Sequence, residues 1–148
     1  MNLDEQTARI REAKLAPLFV NARTDVFWLA VGPVEQRLQL TIHRVKAFVE
    51  AGADCVFVPG LSDPAMIAEL TSAAGAPVNI LGGAGVPGIP ELQKLGVKRV
   101  SGGSGPMRAA MGHTRRLAEE LLRNGDYRSI LDGAISYADA NQLFRLDV

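Results

Sequence analysis

The chain has 148 residues, 47% of them hydrophobic and 5% aromatic, and its 16 basic residues are balanced by 16 acidic ones. That length suits one domain with an aliphatic core, and the charge balance gives no electrostatic reason to expect nucleic acid or an anionic membrane as partner. One cysteine, Cys55, excludes an internal disulfide and fits a reduced cytoplasmic setting, and the charged start MNLDEQTARIREAK and the lack of any run of about 18 apolar residues give no leader or membrane span to read.

In chain order, residues 4–14 are expected to be helical, with Pro17 as the stop. Leu18–Ala22 is a short apolar run that ends in the polar Arg23-Thr24-Asp25, the pattern of a strand buried on both faces. Pro33 to Ala51 reads as a helix with Leu38, Leu40, Ile42, Val45 and Val49 apolar, Pro33 in its first turn and Gly52 after its end. Ala53–Val58 is the second strand, ended by Pro59-Gly60. Ser62-Asp63-Pro64 opens the next helix, which runs to Ala74. Pro77–Leu81 is the third strand, Ile89–Leu95 a short helix and Lys98–Ser101 the fourth strand. A long helix spans Met107–Arg123 and stops at Asn124-Gly125. Residues 125–148 form a tail with a short helix near Tyr137–Phe144.

Strands alternating with helices imply an α/β fold with a parallel sheet. Residues 1–148 are read as one domain. The pattern alone fits either an open doubly wound sheet or part of a (β/α)8 barrel, and four visible strands favour the smaller open sheet, since a whole barrel needs eight strands and about 250 residues.

In both architectures ligands bind at the C-terminal ends of the strands. That rule selects Asn21, Arg23, Thr24 and Asp25, then Pro59 and Gly60, then Asn79 with Gly82-Gly83-Ala84-Gly85, then Ser101 with Gly102-Gly103-Ser104-Gly105. Arg23 can grip a carboxylate or phosphonate with two N–H groups, or simply pair with Asp25. Asn79, between Val78 and Ile80, needs hydrogen-bond partners that a ligand or a neighbouring strand can supply. The glycine loops can hold phosphate on backbone N–H groups or serve tight turns and close packing; neither matches a nucleotide-binding fingerprint. His43 and His113 fall on separate helices, Cys55 has no basic neighbour in sequence, and no cluster has metal-ligand spacing.

These residues also carry a likeness. Phe19-Val20-Asn21-Ala22-Arg23-Thr24-Asp25 resembles a strand of the isocitrate lyase/phosphoenolpyruvate mutase superfamily. Ala51–Gly60 resembles the next strand in its Val-Pro-Gly variant, Pro77–Leu81 the seventh, and Arg99-Val100-Ser101 with Gly103-Ser104-Gly105 the eighth; Tyr137–Phe144 is also similar. The likeness spans nearly the whole chain in order. It implies the C-terminal half of a (β/α)8 TIM barrel, and an activity on C–C or P–C bonds of small 2-oxo-acid or phosphonate substrates through Mg2+-bound enolate-like intermediates. It further implies substrate binding by Arg23 and Asn79, with Thr24 and Ser101 beside them.

The departures from the family pattern matter as much. The family's magnesium carboxylates and its mobile catalytic loop belong to earlier strands, so this chain is expected to hold no catalytic or metal residue and to be inactive alone. Gly60 stands where lyase members carry Glu, which favours phosphonomutase-like or hydrolytic chemistry over lyase chemistry. A half barrel has two open edges and is expected to expose an apolar inner face. It is therefore expected to self-associate, to exchange its last helix between subunits, or to complement a separate N-terminal half. The alternative is a non-catalytic module for small-anion binding or assembly.

Overall fold

A computed structural model describes residues 2–145. The chain divides into two compact units, Met1–Gly103 and Ser104–Val148.

The first unit begins with α1 (Leu3–Ala13), where the Asn2 side chain accepts a hydrogen bond from the Asp4 N–H and Asp4 and Glu5 place negative charge in the first turn. It continues through β1 (Asn21–Arg23), α2 (Arg37–Glu50, entered by a 3-10 turn over Val34–Gln36), β2 (Cys55–Val58), α3 (Pro64–Ala73), β3 (Val78–Leu81), α4 (Ile89–Lys94) and β4 (Arg99–Ser101). Asp63 caps α3 by accepting from the Met66 N–H at 2.9 Å, and Pro64 takes the first helical position, as the sequence indicates.

The four strands form one parallel sheet in the order β1-β2-β3-β4, so β1 and β4 are its edges. Side chains alternate between its faces. Ala22, Val56, Val58, Val78 and Ile80 join Val45 and Phe48 of α2, Ile67 and Leu70 of α3 and Leu92 of α4 in one core. Each large apolar side chain fully buried there contributes about 1.5–3 kcal/mol. The opposite face carries Asn21 and Arg23, Cys55 and Phe57, Asn79 and Leu81, Arg99 and Ser101. The expectation of an apolar inner face is thereby corrected: five of these eight residues are polar or charged. Helices α2, α3 and α4 pack on the core face, so the apolar residues concentrate there.

The first strand also departs from its expected position at Leu18–Ala22. Pairing begins only at Asn21, opposite Cys55, and Leu18 and Phe19 are exposed. The cause is a clamp in front of it. Asp54 accepts from the Val20 N–H at 2.7 Å and pairs with Lys14 at 2.9 Å, while the Val20 carbonyl accepts from the Asp54 and Cys55 N–H groups. The chain before Asn21 is thus held by the turn that precedes β2, and Arg23 lies inside the strand at its last position.

The second unit holds α5 (Gly105–Asn124), α6 (Arg128–Leu131) and α7 (Tyr137–Gln142). Gly125 ends α5 in the left-handed conformation, its N–H donating to the Leu121 carbonyl at 2.9 Å. The sequence reading has no counterpart of α6, whose start is fixed by Asp126 accepting from the Arg128 N–H. Residues 146–148 of the expected tail lie outside the described residues.

Candidate anion-binding face

Arg23, Phe57, Asn79 and Arg99 are register partners in sequence across the sheet, so they form one row on the face opposite the core. Arg23 is the exposed end of that row. Its Nε donates to Asp25 Oδ1 at 2.6 Å, and its guanidinium carbon lies 5.8 Å from the centre of the Phe57 ring. The ring and the carboxylate hold the guanidinium from two sides. The Arg23 carbonyl accepts from Gln6 Nε2 of α1 at 3.4 Å, so α1 reaches the outer edge of β1.

Asn79 is fully buried. Its Nδ2 lies 3.0 Å and its Oδ1 3.1 Å from the Ser101 hydroxyl, one strand away. The amide is thus oriented by the neighbouring strand. Ser101 also extends the ladder, its carbonyl accepting from the Gly82 N–H at 2.9 Å. Arg23, Asn79 and Ser101 therefore share one face. Thr24, the fourth residue selected from sequence, is buried and turned to the helices. Its hydroxyl accepts from Arg44 Nε at 3.2 Å, and the same arginine contacts Gln6 Oε1.

Two features of the face have no signal in any single sequence window. Phe57 supplies the surface beside Arg23, and Arg99 stands next to Asn79 in register. Each lies an even number of residues from another member of the face, and that spacing reveals them once register is known. Arg99 also corrects the view of Cys55 as lacking a basic neighbour. Burial pushes the Cys55 thiol up, and the Arg99 charge opposes that shift in part. Cys55 itself is buried, and His43 and His113 lie exposed on α2 and α5.

The glycines beside the face answer to packing. A Cβ on Gly82 would sit 3.3 Å from Val100 Cγ1. Gly60 is more constrained: its φ is +85°, and a Cβ there would lie 2.9 Å from the Trp28 backbone nitrogen. The segment after β1 thus runs directly against the end of β2 and leaves no room for a side chain at residue 60.

The Phosphoenolpyruvate phosphomutase family model matches residues 1–122. The chain belongs to this family, within the isocitrate lyase/phosphoenolpyruvate mutase superfamily. It is 41% identical over 128 residues to an uncharacterized protein of Mycobacterium tuberculosis, covering 81% of this chain and 47% of that one. It is 26% identical over 147 residues to a 2-methylisocitrate lyase of Shewanella oneidensis, covering 94% and 48%. A crystal structure of a lyase/mutase candidate from Burkholderia cenocepacia superposes with a TM-score of 0.87 at 34% identity, covering 99% of this chain and 54% of that one. The chain spans about half the length of the relatives it matches. Its fold is accordingly that of the C-terminal half of a (β/α)8 barrel, and the open-sheet preference drawn from strand count gives way to it.

Phosphomutase-family members are generally Mg2+-dependent. Among the described residues no three His, Cys, Asp or Glu side chains come together in a group that would hold a metal ion. The residues present do not fit that ion, and no step is routed through it. No helix among the described residues is long and apolar enough to cross a membrane.

Proposed function

We propose that this chain supplies the substrate-anion half of a phosphonomutase-type site, acting in the cytoplasm on small 2-oxo acids or phosphonates. The observation that carries this reading is the shared face of Arg23 and Asn79, with Ser101 fixing the amide. A carboxylate or phosphonate on the guanidinium gains charge-assisted hydrogen bonds beside the low-dielectric Phe57 ring. Ser101, partly exposed, offers an adjacent polar contact whose orientation the buried Asn79 amide already sets, which lowers the entropic cost of binding. Gly60 supports phosphonomutase-like or hydrolytic chemistry over the lyase pattern, because the backbone contact with Trp28 excludes the glutamate that lyase members carry there.

Bond making or breaking in this family draws on metal-held carboxylates, which the described residues do not supply. The chain alone is therefore expected to bind and not to turn over. Isothermal titration with oxaloacetate and phosphonopyruvate tests this reading. Binding that weakens roughly ten- to a hundred-fold in Arg23→Ala is expected, since a hydrogen bond to a charged group contributes about 1.5–3 kcal/mol. Absence of binding at millimolar ligand, or binding indifferent to Arg23, would overturn it.

The second reading is a module for assembly, and the two open edges favour it. Parallel pairing stops at β1 on one side and at β4 on the other, and unpaired edges promote association. Pairing with a second copy or with a separate N-terminal half would cover them.

A further inference from the structure

We propose that Arg99 is a second anion anchor on the sheet's inner face, and that Arg23 and Arg99 together select a short dianion over a monoanion. This rests on the reading of Arg23 as the first anchor.

The row Arg23–Phe57–Asn79–Arg99 places a cation at each end, with Phe57 and the buried Asn79 between them. Neighbouring strands lie about 4.8 Å apart, so the two arginine Cα atoms stand roughly 14 Å from each other before the sheet curves. Two side chains as long as arginine can close that span around a short diacid or a carboxylate–phosphonate. The two arginines differ in their present partners. Arg23 is engaged by Asp25 and lies over Phe57. Arg99 is exposed and, among the described residues, makes no hydrogen bond or ion pair. A guanidinium unable to lose its proton and lacking an acid partner is a standing site of positive potential. By register, Arg99 belongs to the face that also carries Asn79 and Cys55. Ser101, two residues on and on the same face, holds Asn79 with its amide turned toward β4. A ligand with one anionic group satisfies Arg23 and leaves Arg99 unmatched. A ligand with two satisfies both, through a charge-assisted contact at Arg99 that a monoanion cannot make.

Succinate and butyrate test this, because they share a four-carbon chain and differ by one carboxylate. The full 148-residue chain is expected to bind succinate at least tenfold more tightly than butyrate by calorimetry. Arg99→Gln is expected to bring the two ligands within twofold of each other while butyrate affinity stays as in the parent, which also shows that the variant is folded. Arg99→Lys, which keeps the charge and loses the fork, is expected to retain a preference of at least threefold. Succinate affinity unchanged in Arg99→Gln, with both ligands lost in Arg23→Gln, would overturn the role of Arg99 and leave that of Arg23 standing. Failure of the parent chain to bind succinate, butyrate or phosphonopyruvate would overturn both.

Discussion

Arg23 shows how one side chain serves two readings. The Arg23–Asp25 pair anticipated as the structural alternative is present at 2.6 Å, yet the guanidinium stays accessible on the polar face. Two other residues set the stability of this region. Asp54 is held below the ordinary carboxylate range, chiefly by its hydrogen bond from Lys14 and next by the Val20 N–H. A carboxyl depressed in the folded state stabilises the fold at pH above its unfolded value, near 3.9, and that stabilisation is lost as pH falls through the lower folded value. Asp54→Asn is therefore expected to be less stable than the parent at neutral pH and to lose less stability between pH 5 and pH 2, checked by denaturant melts across that range. Gly60→Ala would place a Cβ against the Trp28 backbone at a φ of +85°. A destabilisation of about 1–3 kcal/mol is expected from the strained backbone, again by denaturant titration, and an unchanged midpoint would show that the loop yields freely.

At the level of the elements, α2 joins the sheet to its core. Its buried residues are Thr41, Ile42, Val45 and Phe48, a stripe at helical spacing. Phe48→Ala is expected to cost about 3–5 kcal/mol, because a fully buried ring is replaced by a cavity beneath β2. The apolar pattern and the proline and glycine punctuation made all four strands and most helices legible in the sequence, since each signal is local. Ile42 and Val45 stand out as core positions, whereas Phe48 is masked by the adjacent apolar Val49, and only packing shows that Phe48 is the fully buried one of the two. What sequence could not supply was long-range. The start of β1 depends on Asp54, thirty residues and more downstream. The polar face depends on register, which places Arg99 beside Asn79. Thr24 was selected by its place at a strand end, but the sheet turns its hydroxyl toward Arg44.

For the molecule as a whole, the first unit presents a four-stranded parallel sheet that ends at β1 on one side and at β4 on the other. Strand count alone pointed to a small open sheet; the ordered motifs and the match to half of a longer relative establish a half barrel instead. Sedimentation at micromolar concentration is expected to show a species larger than the monomer, because unpaired parallel edges recruit further strands. A stable monomer would contradict the assembly reading without touching the anion site. The central claim is that the Arg23–Asn79 row is where a small anion binds. Amide chemical-shift mapping of the labelled chain during titration with phosphonopyruvate tests it most directly. Saturable shifts at Arg23, Phe57, Asn79 and Ser101, with Ile67 and Leu70 of the opposite core unmoved, are the expected result. Shifts confined to the helices, or none at millimolar ligand, would contradict it.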